Sequence, residues 1–183
     1  NSLTYRAFFA LPTDMATTSG QVTNAVFGFA SMLAALLRDH DPRGVAVAFD
    51  LPGPTFRHEK LAGYKANRER QPDILYEQLD LVRELVMALG LQAVDAEGFE
   101  ADDVIATLAT MARDGGRDVL VVTGDRDAYQ LVEDPHIRVL YNKRGVSEYV
   151  LYDEAGIRNR TGVDPTDYVE YAALRGDQSD NLP

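Results

Sequence analysis

The sequence contains no cysteine, which excludes disulfide bonds, thiolate metal sites and cysteine nucleophiles. It also lacks any run of the roughly 18 to 20 apolar residues that a membrane-spanning helix needs, so we expect no membrane partner. Its three histidines, His40, His58 and His136, are scattered along the chain without the spacing of a zinc site. The absence of cysteine fits a reducing compartment. They also leave oxygen atoms as the only abundant metal ligands.

An excess of basic residues is absent too, because 18 Lys and Arg stand against 29 Asp and Glu, for a net charge of −11. Such a chain cannot hold nucleic acid by bulk charge alone. The basic residues are concentrated, however, in a segment with a local net charge of +3, where two acids accompany Arg57, Lys60, Lys65, Arg68 and Arg70. The acids must then be concentrated elsewhere, where cations can neutralise them.

The apolar pattern predicts one α/β domain over residues 1–183 with a mostly parallel central sheet flanked by helices. Continuous apolar runs of four or five residues suit strands that are covered on both faces, and amphipathic periods alternate with them. Residues 52–73 depart from this pattern, being rich in proline, glycine and charge, and we predict a basic functional insertion there. Predicted helices cover 22–37, 74–89, 101–113, 128–132 and 165–174; predicted strands cover 45–49, 91–94, 119–122, 137–141 and 146–152, with a turn at 142–145.

Eight acidic residues stand out by their position in this pattern. They follow predicted strands, begin the helix at 101, or lie in the polar run near the end of the sequence. Because ligands of an open parallel sheet bind beyond the carboxyl ends of its strands, we expect these acids to share one rim. They are Asp50, Glu100, Asp102, Asp103, Asp125, Asp127, Asp177 and Asp180.

Each of these acids has a simpler explanation when it is taken alone. Acids in the first turn of a helix cap free N–H groups, and the run at 176–181 is typical of a solvated turn. Two carboxylates about 6 Å apart, however, repel by roughly 3 kcal/mol at an effective dielectric near 20. A shared rim therefore predicts bound Mg²⁺ or Mn²⁺, and a pair of such cations suits phosphodiester hydrolysis.

Five sequence motifs occur in the order that is typical of one nuclease family. They are Phe-Asp at 49–50 with Phe-Arg-His-Glu at 56–59, Gly-Tyr-Lys-Ala-Asn-Arg at 63–68, Glu-Ala-Asp-Asp at 100–103, Thr-Gly-Asp-Arg-Asp at 123–127, and Gly-Asp-Gln-Ser-Asp-Asn-Leu-Pro at 176–183. With the opening at 1–12, they make the whole chain resemble the N-terminal 5′-nuclease domains of bacterial DNA polymerase I, in the flap endonuclease and 5′-3′ exonuclease superfamily.

The resemblance implies a PIN-like fold that cleaves 5′ flaps and nicked or RNA-primed DNA duplexes with two divalent metal ions. It implies Mg²⁺ or Mn²⁺ as cofactors, RNA primer removal and DNA repair as roles, and a covalently linked polymerase domain. It further implies a monomer in the cytoplasm, associated with the nucleoid. The family also has a first strand that ends in Asp-Gly just before the Asn-Ser at 1–2, and a helix-hairpin-helix element after the final Asn-Leu-Pro. Both lie outside this sequence, so we expect truncation at both ends.

The resemblance also assigns roles to individual residues. It places Asp50, Glu100, Asp102 and Asp103 at a first metal, and Asp125, Asp127, Asp177 and Asp180 at a second. It places Arg6, Arg57, Tyr64, Lys65 and Arg68 on DNA, with 52–73 forming a helical arch. Lys65 and Arg68 join Asp50 and Asp125 as catalytic residues. Packing beneath the arch is an equal alternative for Tyr64, and a surface salt bridge is one for Arg6.

Three other functions fit some of the same residues. A PIN-type ribonuclease would use the same carboxylates on RNA. A phosphatase of the haloacid dehalogenase type would use the spacing of Asp125 and Asp127, although its Asp-x-Asp follows the first strand rather than a late one. A catalytically silent, metal-dependent DNA-binding module is the third.

Overall fold

The computed structural model describes residues 1–182, which form two compact units. The first unit comprises Asn1–Phe49, Gln71–Val94 and Asn142–Tyr149, and the second comprises Asp50–Arg70, Asp95–Tyr141 and the chain from Val150 onward. The helices are α1 (Ser2–Ala10), α2 (Asn24–His40), α3 (Phe56–Lys60), α4 (Asp73–Ala88), α5 (Ala101–Asp114), α6 (Glu154–Thr161) and α7 (Tyr168–Arg175). The strands are β1 (Ala46–Ala48), β2 (Gln92–Val94), β3 (Val119–Thr123), β4 (Ile137–Arg144) and β5 (Glu148–Tyr152). Short 3₁₀ turns cover Asp127–Leu131, Pro165–Asp167 and Gln178–Asp180.

The first unit packs α2 and α4 against a two-stranded parallel sheet in which Ala46 of β1 pairs with Gln92 of β2. Phe29, Val82 and Val86 are buried in this core. A buried amide links the two helices, because the Gln78 side-chain oxygen accepts the Ala25 N–H at 2.8 Å. This bond satisfies a polar group that would otherwise be costly to bury.

A close approach of α1 and α2 in the first unit depends on Gly28. A Cβ atom built at this position would lie 2.6 Å from the Ala7 Cβ and 2.9 Å from the Leu11 Cδ1. Both distances are too short for non-bonded carbon atoms. Glycine is therefore required for the two helices to pack as they do.

The second unit is built on β3 and β4, which pair in parallel from Val119↔Ile137 to Thr123↔Tyr141. The sheet order is β3-β4-β5, and the β4–β5 hairpin extends into the part of the chain that belongs to the first unit. The core of the second unit contains Val121 and Val139 from the sheet, together with Ile157 from α6 and Tyr168 from α7. Strand β3 ends at Thr123, which is buried, directly before the acidic segment that contains Asp125 and Asp127.

Most of the predicted elements are confirmed, with boundaries that differ by at most three residues, and the short helix predicted at 128–132 is a 3₁₀ turn. Strand β4 runs through Arg144 rather than turning at 142, because the hairpin prolongs its pairing. Helices α1, α3 and α6 were not predicted. Helix α6 carries a single buried side chain, Ile157, and α3 carries none, so neither presents an apolar stripe to detect. No helix among residues 1–182 combines the length and apolar character required to cross a bilayer.

Candidate active site

All eight predicted carboxylates lie in the second unit. Asp50 follows β1 in the chain, Asp125 follows β3, and Glu100 to Asp103 lie at the start of α5. Asp177 lies immediately before the 3₁₀ turn that follows α7, and Asp180 is the last residue of that turn. Within this unit, residues from three distant stretches of the sequence, 50–68, 100–103 and 177–180, are in contact.

The start of α5 is capped by acidic side chains. The Ala101 N–H donates to the Asp50 Oδ1 at 2.8 Å, and the Glu100 N–H donates to the Asp103 Oδ2 at 2.9 Å as part of a capping box. The explanation of these acids as helix caps is correct for Glu100 and Asp103, which form the capping box, and Asp50 caps the same helix from a distant position in the sequence. A carboxylate has several lone pairs, however, so one capping bond leaves oxygen ligands available.

Asp102 differs from its neighbours because no described residue donates a hydrogen bond to it. Desolvation by neighbouring protein groups is the largest cause that raises the pKa of Asp102 to about 6, followed by the charges of Asp125 and Asp50. Asp102 is nevertheless exposed at the surface, so a small cation can reach the negative charge around it. Asp102 therefore links the strand-end acids electrostatically to the start of α5.

A second concentration of negative charge surrounds Asp127. Desolvation by neighbouring protein groups is the largest cause that raises the pKa of Asp127 to about 6, followed by the charges of Asp125, Asp177 and Asp180. A cleft of about 250 Å³ is lined here by Asp125, Asp127 and Asp177. Asp125 acts on both Asp102 and Asp127, so it belongs to both concentrations of charge.

Local hydrogen bonds hold the strand-end and C-terminal acids. The Asp125 N–H donates to the Thr123 hydroxyl at 3.0 Å, and the Asp127 N–H donates to the Asp125 Oδ1 at 3.0 Å. Asp177 accepts bonds from the Ser179 N–H at 2.8 Å and the Ser179 hydroxyl at 2.7 Å. Burial alone would raise the pKa of Asp177, but the bonds from Ser179 hold it below its ordinary value.

The basic segment contacts the remaining acids directly. Arg57 donates to both oxygens of Asp103, at 2.7 and 2.8 Å, and this bond is the main reason why the pKa of Asp103 is low. Lys65 Nζ lies 2.7 Å from a Glu100 oxygen and 4.0 Å from an Asp180 oxygen. Arg68 forms a short ion pair with Asp180. Each predicted DNA-contacting cation of this segment is therefore paired with a predicted metal ligand.

Backbone contacts also join the basic segment to the C-terminal acidic turn. The Lys65 N–H donates to the Asp180 carbonyl at 3.0 Å, and the Asn181 side chain donates to the Gly63 carbonyl at 2.8 Å. Lys65 has a φ of 56°, a left-handed conformation that non-glycine residues seldom adopt. These contacts over-determine the local backbone, which is how such a conformation is held.

Tyr64 lies in the packed position of its two predicted alternatives. It is 7% exposed, its hydroxyl donates to the Glu100 carboxylate at 3.1 Å, and its ring meets His58 edge-on at 5.2 Å. Burial is the main cause of its raised pKa. Base stacking by Tyr64 stays a prediction, and the ring would first have to be uncovered.

Sequence reasoning missed two arginines of the acidic cleft, and it assigned to the site one arginine, Arg6, that belongs to the other unit. Arg126 and Arg175 line the cleft beside Asp125 and Asp177, and each is one or two residues from a predicted ligand, which was the available signal. Arg6, by contrast, belongs to α1 in the first unit. Its DNA-binding role stays a prediction.

The donor set fits a hard cation, although the side chains do not form a ready-made metal site. Among residues 1–182, no three acidic or histidine side chains could hold a metal ion as they stand. Three of the predicted ligands, Glu100, Asp103 and Asp180, are instead paired with Lys65, Arg57 and Arg68 respectively. The donors are all carboxylates, and the raised pKa values of Asp102 and Asp127 mark sites where added positive charge is favourable.

Comparison with known proteins identifies the family. The family model described as "5'-3' exonuclease, N-terminal resolvase-like domain" matches residues 1–162. The chain belongs to this 5′-3′ exonuclease family. The exonuclease domain is 52% identical over its whole length to DNA polymerase I of Mycobacterium leprae, of which it spans 20%. The chain thus spans about a fifth of the length of the curated relatives that it matches.

Solved structures show the same PIN-like fold for this exonuclease domain. A zinc-bound T5 5′-exonuclease superposes with a TM-score of 0.74 at 22% identity, over 86% of this chain and 60% of that one. A T5 D15 flap endonuclease in a complex with DNA and metal ions gives a TM-score of 0.72 at 21% identity, over 85% of this chain and 60% of that one. At these identities the likeness establishes the fold, and the predicted fold class is confirmed.

Proposed function

We propose that this exonuclease domain is a structure-specific 5′ nuclease that hydrolyses DNA phosphodiesters with two divalent cations, Mg²⁺ or Mn²⁺. The observation that carries the proposal is the position of Asp125 within two concentrations of negative charge, one around Asp102 and one around Asp127. Membership of the 5′-3′ exonuclease family and the metal ions named in the T5 structures support it.

The two cations are held by the ligand sets that the sequence predicts. Asp50, Glu100, Asp102 and Asp103 hold one cation, and Asp125, Asp127, Asp177 and Asp180 hold the other. The bound cations would supply a metal-activated water and would stabilise the attacking and leaving oxygens of an in-line displacement. The chain's part is to position carboxylate oxygens, and backbone N–H groups that donate to Asp50 and Asp125 fix two of them.

The basic segment has a second role in the proposal. Arg57, Lys65 and Arg68 release their carboxylates when cations arrive and turn to the phosphates of DNA, with Tyr64 and Arg6 as further contacts. Exchange of one partner for another is reasonable because these arginine and lysine side chains are partly exposed, at 31%, 20% and 52%. Phosphate contacts of this kind position a nucleic acid without reading its sequence.

The proposal also includes the substrates and the cellular setting, and the names of the relatives support it. We assign DNA with a 5′ flap, a nick or an RNA primer, and roles in primer removal and repair within a DNA polymerase I whose polymerase domain is covalently linked. The relatives are about five times as long as this chain, in keeping with such an attachment. The proposed protein is a cytoplasmic, nucleoid-associated monomer, with residues 1–183 as one nuclease domain and 52–73 as its arch.

The proposal is tested with the full-length protein, a 5′-flap duplex and Mg²⁺. Asp125→Asn should reduce cleavage by at least a hundredfold and leave DNA binding in EDTA intact. Asp118→Asn is the matched control, because Asp118 precedes the opposite end of β3 and its side chain is 82% exposed. Unchanged cleavage by Asp125→Asn would remove this aspartate from the mechanism.

The same assay separates the other three functions. Hairpin RNA cleaved in preference to the flap would indicate the ribonuclease, and hydrolysis of p-nitrophenyl phosphate alone would indicate the phosphatase. Metal-dependent flap binding without any cleavage would indicate the silent module. Our proposal predicts that the flap is the preferred substrate and that EDTA abolishes its cleavage.

A further inference from the structure

A second cleft in the same unit is lined by arginine and tyrosine side chains. It has a volume of about 220 Å³ and is lined by Arg126, Arg160 and Arg175 together with Tyr129, Tyr168 and Tyr171. No described carboxylate lines it, in a chain whose net charge is −11. The local excess of positive charge therefore runs opposite to the composition of the whole chain.

The three arginines form no direct ion pair with a described acidic side chain, although the charge of Arg175 is felt by Asp127 and Asp177. Among residues 1–182, none of them forms an ion pair with an aspartate or a glutamate, whereas Arg158 on the same helix as Arg160 is paired with Asp164. Guanidinium groups that share one small cleft repel one another. A bound anion would relieve that repulsion.

Aromatic rings hold two of the guanidinium groups in place. Arg160 Cζ lies 5.9 Å from the centre of the Tyr152 ring, and Arg175 Cζ lies 5.7 Å from the centre of the Tyr171 ring. Such cation–π contacts reduce the side-chain freedom that would be lost on binding. The buried Tyr129 hydroxyl also interacts with Arg160, which further restricts that guanidinium group.

The cleft adjoins the acidic one, because Arg126 and Arg175 line both. We propose that this arginine cleft binds a phosphate group of the nucleic-acid strand that the acidic cleft acts on. Guanidinium forks match the geometry of phosphate oxygens, and a cleft of this volume admits one phosphate group. The inference rests on the proposed nuclease function for the identity of the strand, but not for the chemistry of the ligand.

The test uses the full-length protein in EDTA, where no turnover takes place. In equilibrium dialysis with inorganic phosphate, Arg160→Gln should weaken binding about tenfold, as expected for the loss of a charged hydrogen bond. In hydrogen exchange followed by mass spectrometry, a short single-stranded oligonucleotide should slow exchange across 154–175 in the wild type and not in Arg160→Gln. Arg158→Gln is the matched control and should behave as the wild type does in both measurements.

The outcomes separate the possible failures. Phosphate binding that Arg160→Gln does not weaken would overturn the site itself. Phosphate binding that depends on Arg160, without protection by the oligonucleotide, would overturn the assignment to a strand phosphate and indicate a free phosphate. Both effects present in a protein that cleaves no flap would uphold the arginine cleft and count against the nuclease proposal alone.

Discussion

Arg57 donates two hydrogen bonds to Asp103, from Nη1 to Oδ2 at 2.7 Å and from Nη2 to Oδ1 at 2.8 Å. The two residues are 46 positions apart in the sequence, one in α3 and the other in the first turn of α5. Asp103 also accepts the Glu100 N–H. One carboxylate therefore joins the basic segment, a helix cap and the proposed first metal site.

Loss of this pair should destabilise the protein modestly. The two side chains are 31% and 24% exposed, so solvent screening limits the effect and we expect Arg57→Gln to lower the free energy of unfolding by about 1 kcal/mol. Arg57 lowers the pKa of Asp103, so its contribution is present above the ordinary carboxyl pKa and is lost as the pH falls through the lowered value.

Urea denaturation in EDTA at several pH values checks this prediction. The difference between wild type and Arg57→Gln should be full at pH 7 and should narrow below about pH 4. Arg38→Gln is the control, because Arg38 makes a similar two-nitrogen pair with Asp39 on an exposed surface and should cause no measurable change. A difference that persists at low pH would show that packing, not charge, accounts for the loss.

Asp102→Asn should have the opposite effect in metal-free protein. The pKa of Asp102 is raised to about 6, so the folded state loses stability as the pH rises from about 4, the ordinary carboxyl value, to about 6. The amide cannot ionise, and the variant should therefore become more stable than the wild type over this range and stay so above it. Melting temperatures in EDTA at pH 4, 6 and 7.5 measure the difference, with Asp14→Asn as the control because Asp14 lies in an exposed turn of the first unit; an unchanged gap would mean that Asp102 is not under charge repulsion.

The packing of α1 on α2 yields a prediction that is independent of the site. Gly28→Ala places a methyl group 2.6 Å from Ala7 Cβ, and the helices must separate to admit it. We expect a loss of about 1 to 3 kcal/mol in the free energy of unfolding. Gly44→Ala is the control, since no atom lies within 4 Å of its Cβ, and equal losses in the two variants would refute the packing argument.

Lys65 should contribute to DNA affinity through charge. Lys65→Ala is expected to weaken flap cleavage and to reduce the salt dependence of flap binding by about one counterion. Lys143→Ala removes a cation that pairs with Glu148 at 3.1 Å in the first unit, and its salt slope should equal that of the wild type. An identical slope for Lys65→Ala would leave this residue as a partner of Glu100 only.

Much of the fold follows from patterns that a single sequence displays. Helices α2, α4 and α5 bury stripes of apolar side chains, and β3 is a short apolar run, so their periods are visible without partners. Helix α3 has no buried residue and α6 has only Ile157, which leaves no period to detect. Those elements are held by caps and ion pairs with distant residues.

The sequence predicts a set of candidate site residues but not the contacts among them. Motifs place Asp50, Asp102 and Asp125 after strands or at a helix start, where a rim is expected. No pattern in the sequence specifies that Lys65 pairs with Glu100 or that Arg68 pairs with Asp180, because those partners are 35 and 112 residues apart. The arginine cleft escaped prediction for the same reason.

The most direct test of the central claim is diffraction from crystals soaked in Mn²⁺, with data collected to reveal its anomalous signal. Our account predicts two peaks, one contacting Asp102 and one contacting Asp127, with Asp125 near both and with Arg57, Lys65 and Arg68 withdrawn from their carboxylates. Crystals that bind no Mn²⁺ at these aspartates, and in which the three ion pairs stay intact, would contradict it.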